Sequence, residues 1–506
     1  MSQLFRRKSL DRLISDTETG SHQLKRSLGP IQLTSLGIGA IIGAGIFSMV
    51  GSAASGGGEH LGAGPALVLS FVLVAIACGF AALCYAEFAS MVPAAGSAYT
   101  YSYATLGELV AWTIGWDLIL EYAIGNVAVA ISWSAYFQEL LRGFGTSIPA
   151  WLGTDYRSAA QAAQQVAEAT AAGTDPAALG DAVVRAAQAL ALAPHVAGLP
   201  IIFNLPAFVI VGLVTWVLVI GISESAWLNS AMVGLKLVII AFFLGVGVFY
   251  IKPENWHPFA PNGLVGVWQG ASLIFFAYIG FDAVSTAAEE TVDPQRNLPI
   301  GMIASLIVCT VVYIGVALVL TGLTPWNQLG TAEPLATAFS ARGMDWAAGI
   351  ISLGAVFATT SVLVVFQLGQ PRIFFSMARD GLLPPWAARV HPTFRTPHIT
   401  TILTGVFVAV FAAVANINEV AELTNIGTLF AFVLVAIGII ILRRTDPDRH
   451  RPFRTPLVPL VPLLAVGSCT FLMAGLPALT WIRFFGWLGL GLLIYFFYGI
   501  RHSRLR

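Results

Sequence analysis

Apolar runs of membrane-crossing length are what most constrain this chain. A helix needs about 20 mostly apolar residues to cross the hydrocarbon core of a bilayer. Twelve stretches meet that need, at roughly 32–55, 65–91, 107–140, 201–222, 226–250, 264–287, 298–322, 345–376, 399–416, 420–442, 456–475 and 478–500. Hydrophobic residues make up 57% of the chain and charged ones only 10%, with a mean hydropathy of +0.79. A soluble domain carries about a quarter charged residues, so this surplus of apolar surface must face lipid. Twenty-six basic residues balance twenty-six acidic ones, which leaves no net basic field for nucleic acid. The alternating ten-residue segments of a membrane β-barrel are absent. The expected fold is an all-α polytopic membrane bundle of twelve transmembrane helices, with the lipid bilayer as its first partner.

Orientation follows from Lys and Arg, which favour cytoplasmic loops. With the N-terminus inside, nineteen basic residues fall on the cytoplasmic side and six outside; the one left over, Lys236, sits within a run. Both termini are therefore expected in the cytoplasm, in a cell (plasma) membrane. The first apolar run is a full span rather than a short signal-peptide core, so no cleavable leader is expected. This divides the chain into a cytoplasmic segment 1–31, a ten-span core 32–442, a loop with spans 11 and 12 over 443–500, and a tail 501–506. An extracytoplasmic insertion, 152–199, interrupts the core. Its Ala/Gln runs favour a short pair of surface helices, and Gly173–Pro176 should separate them. Partner contact and tolerated insertion are both open for it.

Two spans carry glycine-marked interruptions. The first contains Gly37-Ile38-Gly39-Ala40-Ile41-Ile42-Gly43-Ala44-Gly45-Ile46-Phe47. As a dinucleotide fingerprint it fails, because no soluble βαβ unit surrounds it. Gly39 and Gly43 can serve as a close-packing pair, and the cluster can equally break the helix. The sixth span reads Phe275-Phe276-Ala277-Tyr278-Ile279-Gly280-Phe281-Asp282, with Ser285 and Thr286 following. Counted as spans 1–5 and 6–10, the two interruptions occupy corresponding places in two halves. Such a pair points to an inverted-repeat transporter and to its binding site. A broken helix exposes N–H groups on one side and carbonyls on the other. The former suit a carboxylate and the latter an ammonium, so a zwitterion is held with few charged side chains.

Lys236 lies about eleven residues into the fifth span. A charged lysine at such depth costs about 3 kcal/mol, which suits a group that releases and regains a proton; snorkelling to a headgroup layer is the alternative. Glu121, in the third span, has no basic residue within helical reach, which makes Lys236 its candidate partner across helices. A structural polar contact is the other reading. Asp117 and Glu87 lie nearer the cytoplasmic ends and read as structural, and Asp282 is expected to cap or orient the second half of its span. All eight histidines fall outside the spans and the four cysteines lack metal or disulfide spacing, so neither a metal site nor any cofactor is expected.

Several stretches together resemble the amino acid–polyamine–organocation (APC) superfamily, and within it bacterial members of the cationic amino acid transporter family. They are Gly39–Phe47, Cys84–Ser90, Pro93–Tyr101, Gly115–Tyr122, Ala277–Glu290 and Met377–Pro385. The likeness covers most of residues 25–445, and the 152–199 insertion looks longer than is usual there. The resemblance implies a LeuT-like bundle of five-plus-five inverted repeats with two extra C-terminal helices. It implies that amides near Ala44 and Gly45 bind a substrate carboxylate, with carbonyls of Ile41, Phe276 and Ile279 on its amine. Gly43 and Ala277 would line the same pocket, and Phe276 would be the lid. Lys236 would stand where sodium-coupled relatives hold an ion, making H+ the coupling ion, with Glu121 linking the side-chain pocket to it.

The expected activity is transport rather than catalysis: proton-coupled symport of free L-amino acids, with small neutral ones slightly favoured over cationic ones. An exchanger, or an uptake carrier for arginine and lysine, is open as an alternative. Oligomers or small membrane partners leave no mark in the sequence.

Overall fold

The computed structural model describes residues 6–8, 28–57, 60–91, 97–179, 181–196, 198–221, 226–394 and 396–504. Most of the expected N-terminal segment, residues 93–96 of one motif, and Arg395 and Arg506 lie outside them. Helices dominate, and the described strands form only two two-residue ribbons, Gly56–Gly57 with His60–Leu61 and His195–Val196 with Leu199–Pro200. Among the described residues, eight helices are long and apolar enough to cross a membrane, and nine with the bent pair Pro30–Ile41 and Gly45–Ser55. Three of the expected spans are shorter, at Leu205–Ile220, His398–Val414 and Leu460–Ala474. Their ends are set locally. Asn204 caps the first by accepting from the Ala207 amide, and Gly221, at φ 94°, ends it.

The Glu108–Gly143 helix is the centre of the bundle. It packs against Asp345–Arg379 and Ile417–Thr445, and 94% of its most apolar stretch is buried, against 22% for Ala478–His502. The outer helices instead present Ile76, Trp216, Val311 and Leu403 outwards, all exposed. Unpaired apolar side chains distributed over helix flanks are the surface a bilayer covers. The chain is a multi-pass membrane protein.

The last long helix is clasped to the centre by indoles. Trp116 stacks on Trp487 at 4.5 Å and on Trp112 at 5.9 Å. Trp116 Nε1 donates to the Trp487 carbonyl and Trp487 Nε1 to that of Trp116, at 2.9 and 3.1 Å. A Cβ on Gly491 would lie 2.3 Å from the Trp116 ring, so only glycine lets the helix come this close.

On the face that carries the described terminal residues, three buried or half-buried acids are partnered. Glu87 accepts from Arg443 Nε and Nη2 at 2.8 and 2.9 Å and from the Thr455 amide at 2.8 Å, with Arg451 Nε 3.2 Å away. Glu108 accepts from Tyr103, Tyr495 and Ser503. Asp380 accepts from Tyr99 at 2.8 Å and faces Lys8. The structural role expected of Glu87 is what these contacts describe.

Candidate functional site

Both expected interruptions are present, and they interlock. After Pro30–Ile41 the chain leaves the helix at Ile42, with ψ 98°, and the Gly45–Ser55 segment continues at 44° to the first. In the sixth span Gly263–Ile274 tightens into a 3-10 turn through Tyr278. Ile279 is then extended, Gly280 takes φ 124°, and a second 3-10 segment runs Asp282–Glu290. A Cβ on Gly45 would lie 2.2 Å from the Ala277 Cα, and one on Gly280 2.8 Å from the Ala40 carbonyl carbon. Each break thus requires a glycine for the other to reach it. The amides of Gly43, Ala44 and Gly45 open the second segment and are the donors that a helix start leaves over. Gly43 faces Val362 of the Asp345–Arg379 helix, where a Cβ would meet a methyl at 3.1 Å.

Tyr313 joins the two breaks. Its hydroxyl lies 3.0 Å from the Ile41 carbonyl and 2.9 Å from that of Ala277. The Ile41 carbonyl expected to meet an ammonium therefore already has a donor beside it. Sequence reasoning missed Tyr313; the available signal was a phenol in the middle of an otherwise apolar helix, where a hydroxyl needs a partner. Phe276 and Ile279 flank Ala277 and are nearly buried, at 6% and 5% exposure.

Lys236 is 1% exposed, and its Nζ donates to the Gly39 carbonyl at 2.7 Å. Gly39 is in the last turn of Pro30–Ile41, where carbonyls have no partner along the helix and the dipole is negative. The ammonium thus tests the first break directly. The expected pairing with Glu121 is not formed. Among the described residues no carboxylate lies within 4 Å of Lys236, because the helix end is nearer and satisfies it. Glu121 instead stands among Asp282, Asp117 and Thr428. Asp117, one turn before Glu121, is fully buried, and neither carboxylate oxygen has a hydrogen-bond partner. A Cβ on Gly427 would come within 2.7 Å of Asp117 Oδ1, so that glycine makes its room. Asp117 is therefore not the structural contact the sequence pointed to. Asp282 lies within the first turn of its segment rather than at the cap, with its carboxylate beside the Gly280 and Ala283 amides, an orienting role.

The second half of the first span is fastened at its far end. Ser48 Oγ meets Ser132 Oγ at 2.6 Å and donates to the Ala332 carbonyl, and Tyr136 donates to the Phe47 carbonyl. The breaks are therefore closed off from the side that carries the 152–199 insertion.

With this geometry in hand, similarity to known proteins decides the family. The family model for amino acid permeases matches residues 28–491. The chain belongs to the amino acid permease family. It is thereby a member of the APC superfamily and a transporter, not an enzyme. The branched-chain amino acid permease BcaP of Bacillus subtilis (strain 168) is 46% identical over 99% of both chains. The methylthioribose transporter of the same organism is 45% identical over the whole of both. The vacuolar cationic amino acid transporter 4 of Arabidopsis thaliana is 35% identical over 88% of this permease and 68% of that relative.

Proposed function

We propose that this permease is a proton-coupled symporter of L-amino acids with uncharged side chains, working by alternating access across the plasma membrane with both termini in the cytoplasm. Twelve spans in a five-plus-five inverted repeat with two added helices form its architecture. The observation that carries the reading is the interlock of the two breaks, with the Lys236 ammonium on the Gly39 carbonyl at 2.7 Å. The amides of Gly43, Ala44 and Gly45 take the substrate carboxylate, and the carbonyls of Phe276 and Ile279 its ammonium. Ile41 and Ala277 complete the wall, and Phe276 closes over the substrate. Lys236 responds to the break because it is bonded to the break's own end. Substrate binding that shifts the first break moves the Gly39 carbonyl and so alters the partner available to the ammonium, which couples proton to substrate. The apolar wall favours aliphatic side chains, in keeping with the relative named for branched-chain amino acids.

A cationic substrate is the second reading. Its support is Glu121, a buried acid that no basic side chain among the described residues meets. Uptake of labelled isoleucine, alanine, arginine and methylthioribose into proteoliposomes, with and without an inward proton gradient, separates these. Isoleucine or alanine accumulation that collapses with the gradient supports the proposal. Arginine preference would turn Glu121 into a side-chain partner, and uptake only against internal amino acid would make the protein an exchanger.

A further inference from the structure

The second break, like the first, is clamped by a side chain from another span. Asn425, in the helix Ile417–Thr445, is 0% exposed. Its Nδ2 donates to the Ser272 carbonyl at 2.8 Å and to the Leu273 carbonyl at 2.9 Å. Both carbonyls lie in the last turn of Gly263–Ile274, where the helix tightens into the 3-10 turn Phe275–Tyr278. That turn carries Phe276 and leads into Ile279, so its direction is set at the junction that Asn425 holds. Ser272 is also pinned from the other side. Its Oγ donates to the Leu472 carbonyl at 2.7 Å, and Trp268 Nε1, one turn earlier, donates to the Phe471 carbonyl at 2.8 Å. The two carbonyls decide which end of the amide faces them, since an oxygen there would be repelled. Asn425 Oδ1 is buried and has no partner among the described residues, so the side chain is used for its donors alone.

The arrangement repeats that of Lys236. Pro30–Ile41 and Gly263–Ile274 are each 12 residues long, and Gly39 and Ser272 are each third from the end. With the spans counted 1–5 and 6–10, Lys236 comes from the fifth and Asn425 from the tenth. Each break is thus held by a nitrogen donor from the last helix of its own half, on a carbonyl of the last turn before the break. The donors differ in one respect. An ammonium can release a proton, whereas a carboxamide keeps both of its N–H groups at every accessible pH.

We propose that Asn425 is the positioning residue of the second break, the non-titrating counterpart of Lys236. It holds the junction so that the Phe276 and Ile279 carbonyls and the Phe276 ring stand ready for substrate, and it does so whatever the protonation state of the protein. Of the two clamped helix ends, only the first answers to the proton. This inference rests on the permease reading and its five-plus-five repeat.

Equilibrium binding of labelled isoleucine, alanine and arginine to the purified full-length permease tests it. Asn425→Leu removes both bonds and should weaken binding about tenfold at every pH. Asn425→Asp can donate only while protonated, and its ionised form would set an unpaired charge against two carbonyls. Its affinity relative to wild type should fall about tenfold between about pH 5 and about pH 8, and recover when the same sample is returned to acid, which a misfolded protein would not do. Nearby titratable groups are Glu422 on the same helix, held by Thr480 at 2.8 Å, and Asp117 and Glu121, which meet the next turn at Gly427 and Thr428. Tyr278 and the buried thiols Cys78 and Cys469 stand on the other packed elements. All are common to both proteins, so the ratio isolates position 425. Amide hydrogen exchange over residues 271–281 reads the junction without substrate. It should be faster than wild type in Asn425→Leu, and in Asn425→Asp only at the higher pH. A flat Asn425→Asp ratio, or unchanged binding and exchange in Asn425→Leu, overturns the assignment and leaves the permease reading intact. A wild type that binds none of the three amino acids removes the permease reading, and the exchange comparison still decides whether Asn425 holds the junction.

Discussion

Replacing Lys236 with Met tests the coupling proposal most directly. The change removes one charge-assisted hydrogen bond, Nζ to Gly39 at 2.7 Å, worth about 1.5–3 kcal/mol. It also removes the cost of holding a charge at that depth, about 3 kcal/mol. The two nearly cancel, and Met fills the space of the lysine stem. The folded protein should survive, with a thermal midpoint close to wild type, because about 1 kcal/mol moves a midpoint only about 2–4 °C even in a domain half this size. Transport should change far more. A gradient of one pH unit supplies about 1.4 kcal/mol per proton, enough for about tenfold accumulation of a substrate carried one-to-one. Lys236→Met should bring that ratio to one while retaining counterflow. Lys236→Arg keeps a donor for Gly39 but holds its proton at all accessible pH, so it should also equilibrate without accumulating. The assay is labelled substrate in proteoliposomes with an imposed pH step. Tenfold accumulation by either variant would refute the role given to Lys236.

Three further perturbations follow from the packing. Gly280→Ala must hold a side chain at φ 124° with its Cβ 2.8 Å from Ala40, a strain of about 1–3 kcal/mol before the clash. Uptake should fall below a tenth of wild type, whereas Gly79→Ala, which meets nothing within 4 Å, should be silent; equal uptake in both would count against the interlock. Tyr313→Phe leaves the Ile41 and Ala277 carbonyls without their donor and should cost about 1–3 kcal/mol of stability, read as a lower midpoint together with slower uptake. Glu87→Gln removes the counter-charge of a 2% exposed Arg451 side chain and of Arg443 while leaving an acceptor oxygen, which should cost up to about 3 kcal/mol. Thermal unfolding in detergent checks this, and an unchanged midpoint would mean that the two arginines find other acceptors.

The sequence disclosed what periodicity and cost can disclose. The apolar runs fall where the helices are, because a stretch without charges has few other places to go. The interruptions at Ile42–Ala44 and Ile279–Gly280 were legible because glycine clusters weaken a helix wherever it packs. Lys236 stood out by depth alone. Its partner did not, since opposite signs drew attention to Glu121 while packing offered the closer carbonyl of Gly39. Helix ends become acceptors only once the break that creates them is known. Asp117 read as structural from its place near a span end, like Glu87, whereas in the fold Gly427 packs over it and neither of its oxygens has a hydrogen-bond partner among the described residues. The Ala/Gln composition gave the helical pair of the insertion, Tyr156–Ala171 and Asp181–Leu192, but what it docks on is a matter of tertiary contact, written in Asn416 and Glu419 far along the chain.

The indole clasp has a practical corollary. Three tryptophan rings in a row, Trp112, Trp116 and Trp487, are near-parallel, with interplanar angles of 12° and 16°. Their strong far-ultraviolet transitions therefore couple, giving an exciton circular dichroism signal that isolated indoles lack. Reciprocal bonds on both partners keep the last helix and the central one in a fixed relation. That optical signature should accordingly stay constant through turnover. It is an internal reference against which the changing environment of other tryptophans, such as Trp133 near the Ser132 closure, can be read without adding a label.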